Sequence, residues 1–207
     1  MLGRVHFLSR EEESSLRRAI AKRTPQHVPA FDLSLHSGMR TSEEFALRWS
    51  QVDWQRRMLA SKNGKSRHTP LNAIAMEVLW ILRQRHAEQS ADSPRVFQNE
   101  RGGKLRGHRD WFEPALRESG VHDYSWHCNR HTFASRLVMV GVDLRTVGEL
   151  LGHETPSMTW RYSHLASGHK QRAVDRLVAE GESVVDARSA TRAATSEVAT
   201  KLVGNDV

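Results

Sequence analysis

The spacing of apolar residues along the 207-residue chain predicts a mainly helical protein. Ser9 and the acidic run at 11–13 have the composition of a helix N-cap and first turn, which predicts a helix over about 10–22. A second helix should end at Gly38, because glycine adopts the left-handed conformation that commonly terminates helices. Apolar residues recur at helical spacing in further segments: 72–87, 109–118, 133–140, 142–151, 158–162 and 174–177.

The pattern changes between residues 52 and 71, where Asn63 and Gly64 form the strongest short signal for a β-hairpin turn. The residues on either side, 58–62 and 65–70, are expected to pair as strands. The fold class predicted from the whole pattern is therefore mainly α with one small antiparallel β-sheet.

The length of the chain suits one ordinary domain and is short for two of full size. Residues 181–207 are rich in Ala, Ser, Thr and Val and include few large side chains, which is typical of weakly ordered tails. We therefore expect an N-terminal lead-in over 1–9, one domain over 10–180 and a weakly ordered C-terminal tail over 181–207.

The charge balance favours an anionic partner. Lys and Arg total 31 against 24 Asp and Glu, which gives a formal net charge of +7 and a sequence pI near 10.2. Nucleic acid is the first candidate because phosphate neutralisation supplies most non-specific binding, while membrane surfaces and acidic proteins stay open on charge alone.

Other classes of protein are excluded or disfavoured by what the sequence contains. Cys128 is the one cysteine, so an intrachain disulfide and a cysteine-based zinc site are excluded, which fits a reducing compartment. No stretch approaches the roughly 20 apolar residues that span a bilayer, and residues 1–10 lack a signal peptide's apolar core. A metal-dependent hydrolase is disfavoured because no His-Glu-x-x-His motif occurs.

Two polar motifs place an arginine near the start of a helix. In segment 38–43, Arg40 is followed three residues later by Glu43, so both side chains can lie at the same helix end. Alone, a solvated salt bridge would explain this pair. In segment 127–135, His127 and Arg130 are three apart and share a helix face, where an Arg can bind phosphate oxygens in a fork. Taken alone, the second motif is better explained by a core histidine hydrogen-bonded to backbone, with Arg130 at the surface.

A third motif spans residues 150–162. Gly152 can end one helix and Pro156 can begin the next, so the loop between them presents His153. Tyr162 then follows about two turns into the second helix. A tyrosine at such a point is more often a packing residue than a catalytic one, and the order and spacing of the whole set decide between the two.

That order and spacing resemble the tyrosine recombinases of the phage-integrase family, whose catalytic domains carry Arg, Lys, His-x-x-Arg, His or Trp, and Tyr in sequence. Segments 39–49, 127–135 and 150–162 resemble the family's three boxes, and the nine-residue step from His153 to Tyr162 is preserved. Lys62 matches the family's hairpin lysine. The resemblance covers about residues 8–177.

The sequence departs from the family pattern in two places. Cys128 and Asn129 stand where the second box usually reads Asp-Leu, and we expect Asn129 to cap the helix in place of the aspartate. The family usually has a helical core-binding domain before the catalytic one, whereas about nine residues precede the first helix here.

The resemblance implies the fold of these DNA breaking-rejoining enzymes and a site-specific recombinase or integrase that acts through a 3′-phosphotyrosyl intermediate, without metal, ATP or other cofactor. It also implies a role for each matched residue. Tyr162 would be the nucleophile, Arg40, Arg130 and His153 would bind the phosphate, Lys62 would protonate the leaving 5′ oxygen, His127 would assist proton transfer at the tyrosine, and Glu43 would orient its neighbours. Lys65, across the same turn, is the rival to Lys62.

The implied partners are double-stranded DNA, three further copies of the chain in a homotetramer on two duplexes, and DNA-bending accessory proteins. The implied location is the cytoplasm, in association with a nucleoid of bacterial or phage type, with no membrane partner. Two alternatives stay open: a type IB topoisomerase-like enzyme that religates the original strand, and a DNA-binding remnant without activity of its own. Retention of all six matched catalytic residues argues against the remnant.

Overall fold

The structure is a computed structural model that describes residues 6–61, 67–88, 93–99, 103, 105, 107–166, 174, 175 and 177. The chain divides into two compact units, Met1–Leu165 and Ala166–Val207. In the second unit, residues 174, 175 and 177 are helical. The predicted tail, 181–207, lies outside the described residues.

The described part of the chain is mainly helical, as predicted. The α-helices with defined bounds, all in the first unit, are α1 (Arg10–Arg23), α2 (Val28–Ser37), α3 (Thr41–Glu44), α4 (Ala73–Glu88), α5 (Arg109–Ser119), α6 (His127–Met139), α7 (Leu144–Leu151) and α8 (Ser157–Trp160). Short 3-10 turns occur at Pro25–His27, Trp49–Gln51 and Ser163–Ala166. None of these helices is long and apolar enough to cross a membrane.

A three-stranded antiparallel sheet confirms the predicted small sheet. Its strands are β1 (Val52–Asp53), β2 (Met58–Ser61) and β3 (Arg67–Pro70), paired in the order β1-β2-β3. Leu59 in the central strand is buried and pairs with Thr69 of β3. The turn between β2 and β3, residues 62–66, lies outside the described residues, so the Asn63-Gly64 turn stays a prediction.

The core is formed where the helices pack on one another, with α1 against α5 and with α2 against both α4 and α6. Its fully buried side chains include Leu16 and Ile20 of α1, Phe31 and Leu33 of α2, and Phe112 of α5. Burying a side chain of this size contributes roughly 1.5–3 kcal/mol each. Ala134 and Val138 of α6 are buried too, so apolar burial holds α6, the helix that carries the second motif, against α2.

An aromatic cluster holds the start of α6. Trp126, which directly precedes His127, is buried among five rings, and four of these have their centroids within 5.5 Å of its own. The ring centroids lie 5.0 Å from Phe112, 5.0 Å from His108, 5.2 Å from Trp111 and 5.5 Å from Phe45. The Trp126 indole thus anchors the N-terminus of α6 by packing.

The prediction that Asn129 caps α6 is wrong. The N-cap position is Trp126, which makes no capping side-chain hydrogen bond. Asn129 lies inside the helix instead, fully buried, and its Oδ1 accepts a hydrogen bond from the Tyr124 hydroxyl at 2.6 Å. The aromatic cluster therefore fixes the start of α6 by packing alone, and Asn129 ties α6 to the segment that precedes it.

Candidate active site

Arg40 is held in place by Glu43 within the first motif. Arg40 is the residue before α3, and its backbone N–H donates to Glu43 Oε2 at 3.0 Å. Its Nη1 donates to Glu43 Oε1 at 3.1 Å. The Glu43 side chain is 5% exposed while that of Arg40 is 38% exposed, so this is not a solvated pair. The carboxylate is buried beneath the guanidinium and fixes its direction.

Arg130 lies inside the protein, contrary to the alternative that placed it at the surface. Its residue is 4% exposed, its Nη1 donates to the Gly38 carbonyl at 2.7 Å, and its Nη2 donates to the Leu151 carbonyl at 2.6 Å. Both carbonyls are at the C-terminal ends of helices, where the helix dipole is negative and favours a cation. Arg130 therefore joins the ends of α2 and α7.

The two arginines meet at consecutive peptide groups. Arg40 Nη2 donates to the Gly152 carbonyl at 3.2 Å, next to the Leu151 carbonyl that Arg130 binds. His153 follows directly. Residues of all three motifs are thus brought together around the end of α7.

The third motif places His153 in the loop after α7, as predicted. Gly152 ends α7 in the left-handed conformation, with a φ of +63°. His153 Nδ1 then lies 2.8 Å from the Thr159 hydroxyl. Gly148 leaves the room for Thr159, since a Cβ at position 148 would lie 2.9 Å from that hydroxyl oxygen. Thr159 is buried and holds the half-buried His153 ring in one orientation.

His127 is exposed at the first turn of α6. Partial burial of the ring and the positive charges of Arg130, Arg161 and Arg40 lower its pKa. The His127 ring contacts the ring of His131 edge-on, with centroids 4.9 Å apart. His127 is therefore neutral at neutral pH and faces the cations of the site.

Tyr162 was predicted about two turns into a helix, and this prediction is wrong. The helix α8 ends at Trp160, and Tyr162 lies in the turn that follows it. The side chain is 1% exposed, and burial raises its pKa above the ordinary value near 10, against the charges of Arg161 and Arg130. The phenol is thus enclosed at the edge of the arginine cluster.

His131 is a residue of this site that the sequence reasoning missed. Its Nδ1 lies 2.6 Å from the Tyr162 hydroxyl. Burial, the neighbouring His127 ring and the positive charges of Arg161 and Arg130 lower the pKa of His131 to about 4. The available signal was its position: His131 follows Arg130 and lies one helical turn after His127. Arg161, beside the tyrosine, was also missed.

Lys62, the predicted leaving-group acid, and its rival Lys65 lie outside the described residues. The strand β2 ends at Ser61, directly before Lys62. Among the residues that are described, no group of three or more His, Cys, Asp or Glu side chains is arranged to hold a metal ion.

Comparison with known proteins identifies the family. Residues 6–169 match the model of the phage integrase family. The chain belongs to this family of tyrosine recombinases. A protein of Roseiflexus castenholzii named tyrosine recombinase XerC is 34% identical over 168 residues, which cover 75% of this chain and 54% of that protein. The chain spans about half the length of the curated relatives it matches.

Solved structures of the family share the fold. The catalytic domain of bacteriophage HP1 integrase has a TM-score of 0.62 at 25% sequence identity, and the match covers 83% of this chain and 94% of that one. XerH site-specific recombinase bound to its palindromic difH substrate has a TM-score of 0.67 at 21% identity, over 83% of this chain and 53% of that one. The predicted fold class, an integrase catalytic domain with a small sheet, is confirmed.

Proposed function

We propose that this integrase-family chain is the catalytic part of a site-specific DNA recombinase that cuts and rejoins DNA through a covalent bond to Tyr162. The observation that carries the proposal is the meeting of Arg40 and Arg130 at the consecutive carbonyls of Leu151 and Gly152, directly before His153. Two fixed guanidinium groups beside an imidazole form a binding site for a phosphate group.

Cleavage without a metal requires a nucleophile, neutralisation of the developing charge, and a proton for the leaving oxygen. Tyr162 would attack phosphorus, giving a 3′-phosphotyrosyl bond and a free 5′-hydroxyl. Arg40, Arg130 and His153 would bind the non-bridging oxygens, where charge develops in the transition state. The Glu43 carboxylate and the Gly152 carbonyl engage two of the five N–H donors of Arg40, and its partial exposure lets a phosphate approach.

Lys62 would complete the reaction by protonating the departing 5′ oxygen. Because the phosphotyrosyl bond conserves the energy of the broken phosphodiester, a 5′-hydroxyl from another strand can attack it without ATP. Exchange of partners at this step would give recombination, with DNA bound in part through the net charge of +7.

The wider assignments follow from the same proposal. Residues 10–180 would be the catalytic domain, acting in the cytoplasm on the nucleoid as a homotetramer on two DNA duplexes, together with DNA-bending accessory proteins. Membership of the phage integrase family supports these assignments. The chain matches about half of the length of the curated relatives.

The test uses a suicide duplex that is nicked near the cleavage point, drawn from a pool of candidate attachment sites, in the presence of a chelator. Wild-type protein should form a covalent DNA adduct that survives a denaturing gel, and Tyr162→Phe should form none. The chain contains two tyrosines, so Tyr124→Phe is the matched control and should keep the adduct. An adduct with Tyr162→Phe, or none with wild type on a duplex it binds, would contradict the proposal.

A second candidate, a DNA-binding module without turnover, is favoured by one observation. Tyr162 is 1% exposed, so a phosphate reaches its hydroxyl only after covering residues move. A wild-type chain that binds duplex DNA in the same assay and never forms the adduct would support this candidate.

A further inference from the structure

The hydroxyl of Tyr162 has one close partner that the family pattern did not supply. His131 Nδ1 lies 2.6 Å from it, within the distance over which a base takes a proton directly. His127, which the sequence assigned to proton transfer at the tyrosine, lies one helical turn earlier and contacts the His131 ring edge-on. His131 therefore stands between His127 and the phenol.

We propose that His131 Nδ1, rather than His127, accepts the Tyr162 proton when the phenol attacks the scissile phosphate. The inference rests on the proposed function. It requires a neutral imidazole that carries its hydrogen on Nε2, so that Nδ1 has a lone pair directed at the hydroxyl.

The cleavage step transfers one proton from the attacking phenol and one proton to the leaving 5′ oxygen. The Tyr162 O–H bond breaks and its proton passes to His131 Nδ1, while the phenolic oxygen forms a bond to phosphorus. The bond from phosphorus to the 5′ oxygen breaks, and that oxygen takes a proton from an acid, for which Lys62 is proposed. Rejoining reverses both transfers, so His131 returns its proton to the phenol.

The charges around His131 suit this role when DNA is bound. Burial keeps the pKa of the His131 ring low, and the nearby His127, Arg161, Arg130 and His153 side chains lower it further. An unprotonated ring is ready to accept a proton at neutral pH. A phosphodiester held among the same cations adds negative charge, which offsets them and raises the pKa of His131 toward the working pH. Bound DNA would thus make His131 a stronger base.

The two partners belong to different parts of the fold. His131 lies on the long helix α6, whereas Tyr162 lies in the turn after the short helix α8. A movement that uncovers the phenol must keep this hydrogen bond or remake it. Rate and hydrogen bond are therefore measured separately.

The rate is measured by single-turnover formation of the covalent adduct between pH 5 and 9. His131→Asn keeps a hydrogen-bond acceptor near the position of Nδ1 but cannot take a proton, and His131→Gln is a second variant. Both should slow cleavage by roughly 10²–10⁴-fold and remove the low-pH limb of the profile. His122→Asn, an exposed histidine outside the site, is the matched control and should match the wild type.

A second substrate carries sulfur in place of the bridging 5′ oxygen. A thiolate leaves without a proton, so this duplex restores a variant that lacks the leaving-group acid and does not restore one that lacks the base at the tyrosine. The His131 variants should stay slow on it. Restoration of their rate, or a His131→Asn rate within about threefold of wild type, would overturn the proposal while leaving the proposed function intact.

Nitrogen-15 NMR of the histidines tests the same bond without DNA. His131 Nδ1 should give the signal of an unprotonated, hydrogen-bonded nitrogen, and that signal should shift in Tyr162→Phe. A proton on Nδ1 would overturn the proposal whatever the rates show. Absence of the adduct with wild-type protein would instead reject the proposed function, and the inference with it.

Discussion

Thr159, an uncharged residue, orients the His153 ring in the candidate site. Its hydroxyl lies 2.8 Å from His153 Nδ1, and it is buried so close to Gly148 that a Cβ there would come within 2.9 Å of it. The hydrogen bond at Nδ1 leaves Nε2 of the His153 ring as the nitrogen that can reach a phosphate. Under the proposed function, Thr159 would be a positioning residue, which acts on substrate only through His153.

Replacing Thr159 by Val removes this hydroxyl with little change in volume. The adduct should form roughly fivefold more slowly, because about 1 kcal/mol of hydrogen bonding no longer orients His153. Thr155→Val, at an exposed position of the same loop, is the control and should keep the wild-type rate. Equal rates for the two variants in single-turnover cleavage would show that Thr159 does not position His153.

The local elements differ in how far the sequence determines them. The N-cap of α1 at Ser9 and the left-handed glycine after α2 are local features, so the sequence predicts them correctly. The length of α8 depends on tertiary packing around Tyr162, and the sequence predicted too long a helix. His131 was missed for the same reason, since its partner is 31 residues away.

Gly38 combines a backbone and a packing requirement at the end of α2. Its φ is +59°, and a Cβ there would overlap the ring of Phe133. Gly38→Ala should lower the free energy of unfolding by roughly 2–4 kcal/mol, from left-handed strain plus overpacking.

Gly120→Ala is the matched control for Gly38→Ala in urea denaturation. Gly120 has a φ of +74° with open space around its Cβ, so backbone strain alone applies and the loss should be about 1–2 kcal/mol. Equal losses of unfolding free energy for the two variants would show that the Phe133 ring moves aside at no energetic cost.

The molecule as a whole carries a buried acid that links its stability to pH. Glu44 is fully buried at the end of α3, and its Oε2 accepts a hydrogen bond from Trp126 Nε1 at 3.0 Å. Burial raises the pKa of Glu44 to about 8, which the Trp126 hydrogen bond only partly opposes. The folded state thus retains a proton that the unfolded state loses near pH 4.5, so this group reduces stability as pH rises toward 8.

The histidines act in the opposite direction at lower pH. Those with a lowered pKa, such as His108 and His131, bind fewer protons in the folded state, so they add stability as pH rises to about 6.5 and no more above it. Between about pH 6.5 and 8, the histidines therefore no longer offset the loss of stability that Glu44 causes.

Wild-type protein should lose stability from pH 6.5 to 8, by at most about 1.4 kcal/mol per pH unit. Glu44→Gln keeps an acceptor for Trp126 and removes the titration, so its unfolding free energy should be flatter over this window. Glu149→Gln, at a side chain that is 67% exposed, should retain the wild-type slope. Parallel slopes for wild type and Glu44→Gln in urea denaturation at a series of pH values would contradict this account.

The proposed function requires that DNA becomes covalently attached to one atom, the phenolic oxygen of Tyr162. The most direct test traps the adduct on a suicide duplex, trims the DNA with nuclease, digests the protein and sequences the modified peptide by mass spectrometry. We expect a nucleotide joined through its 3′-phosphate to Tyr162, with Tyr124 unmodified. A nucleotide on any other residue, or a link through a 5′-phosphate, would contradict it.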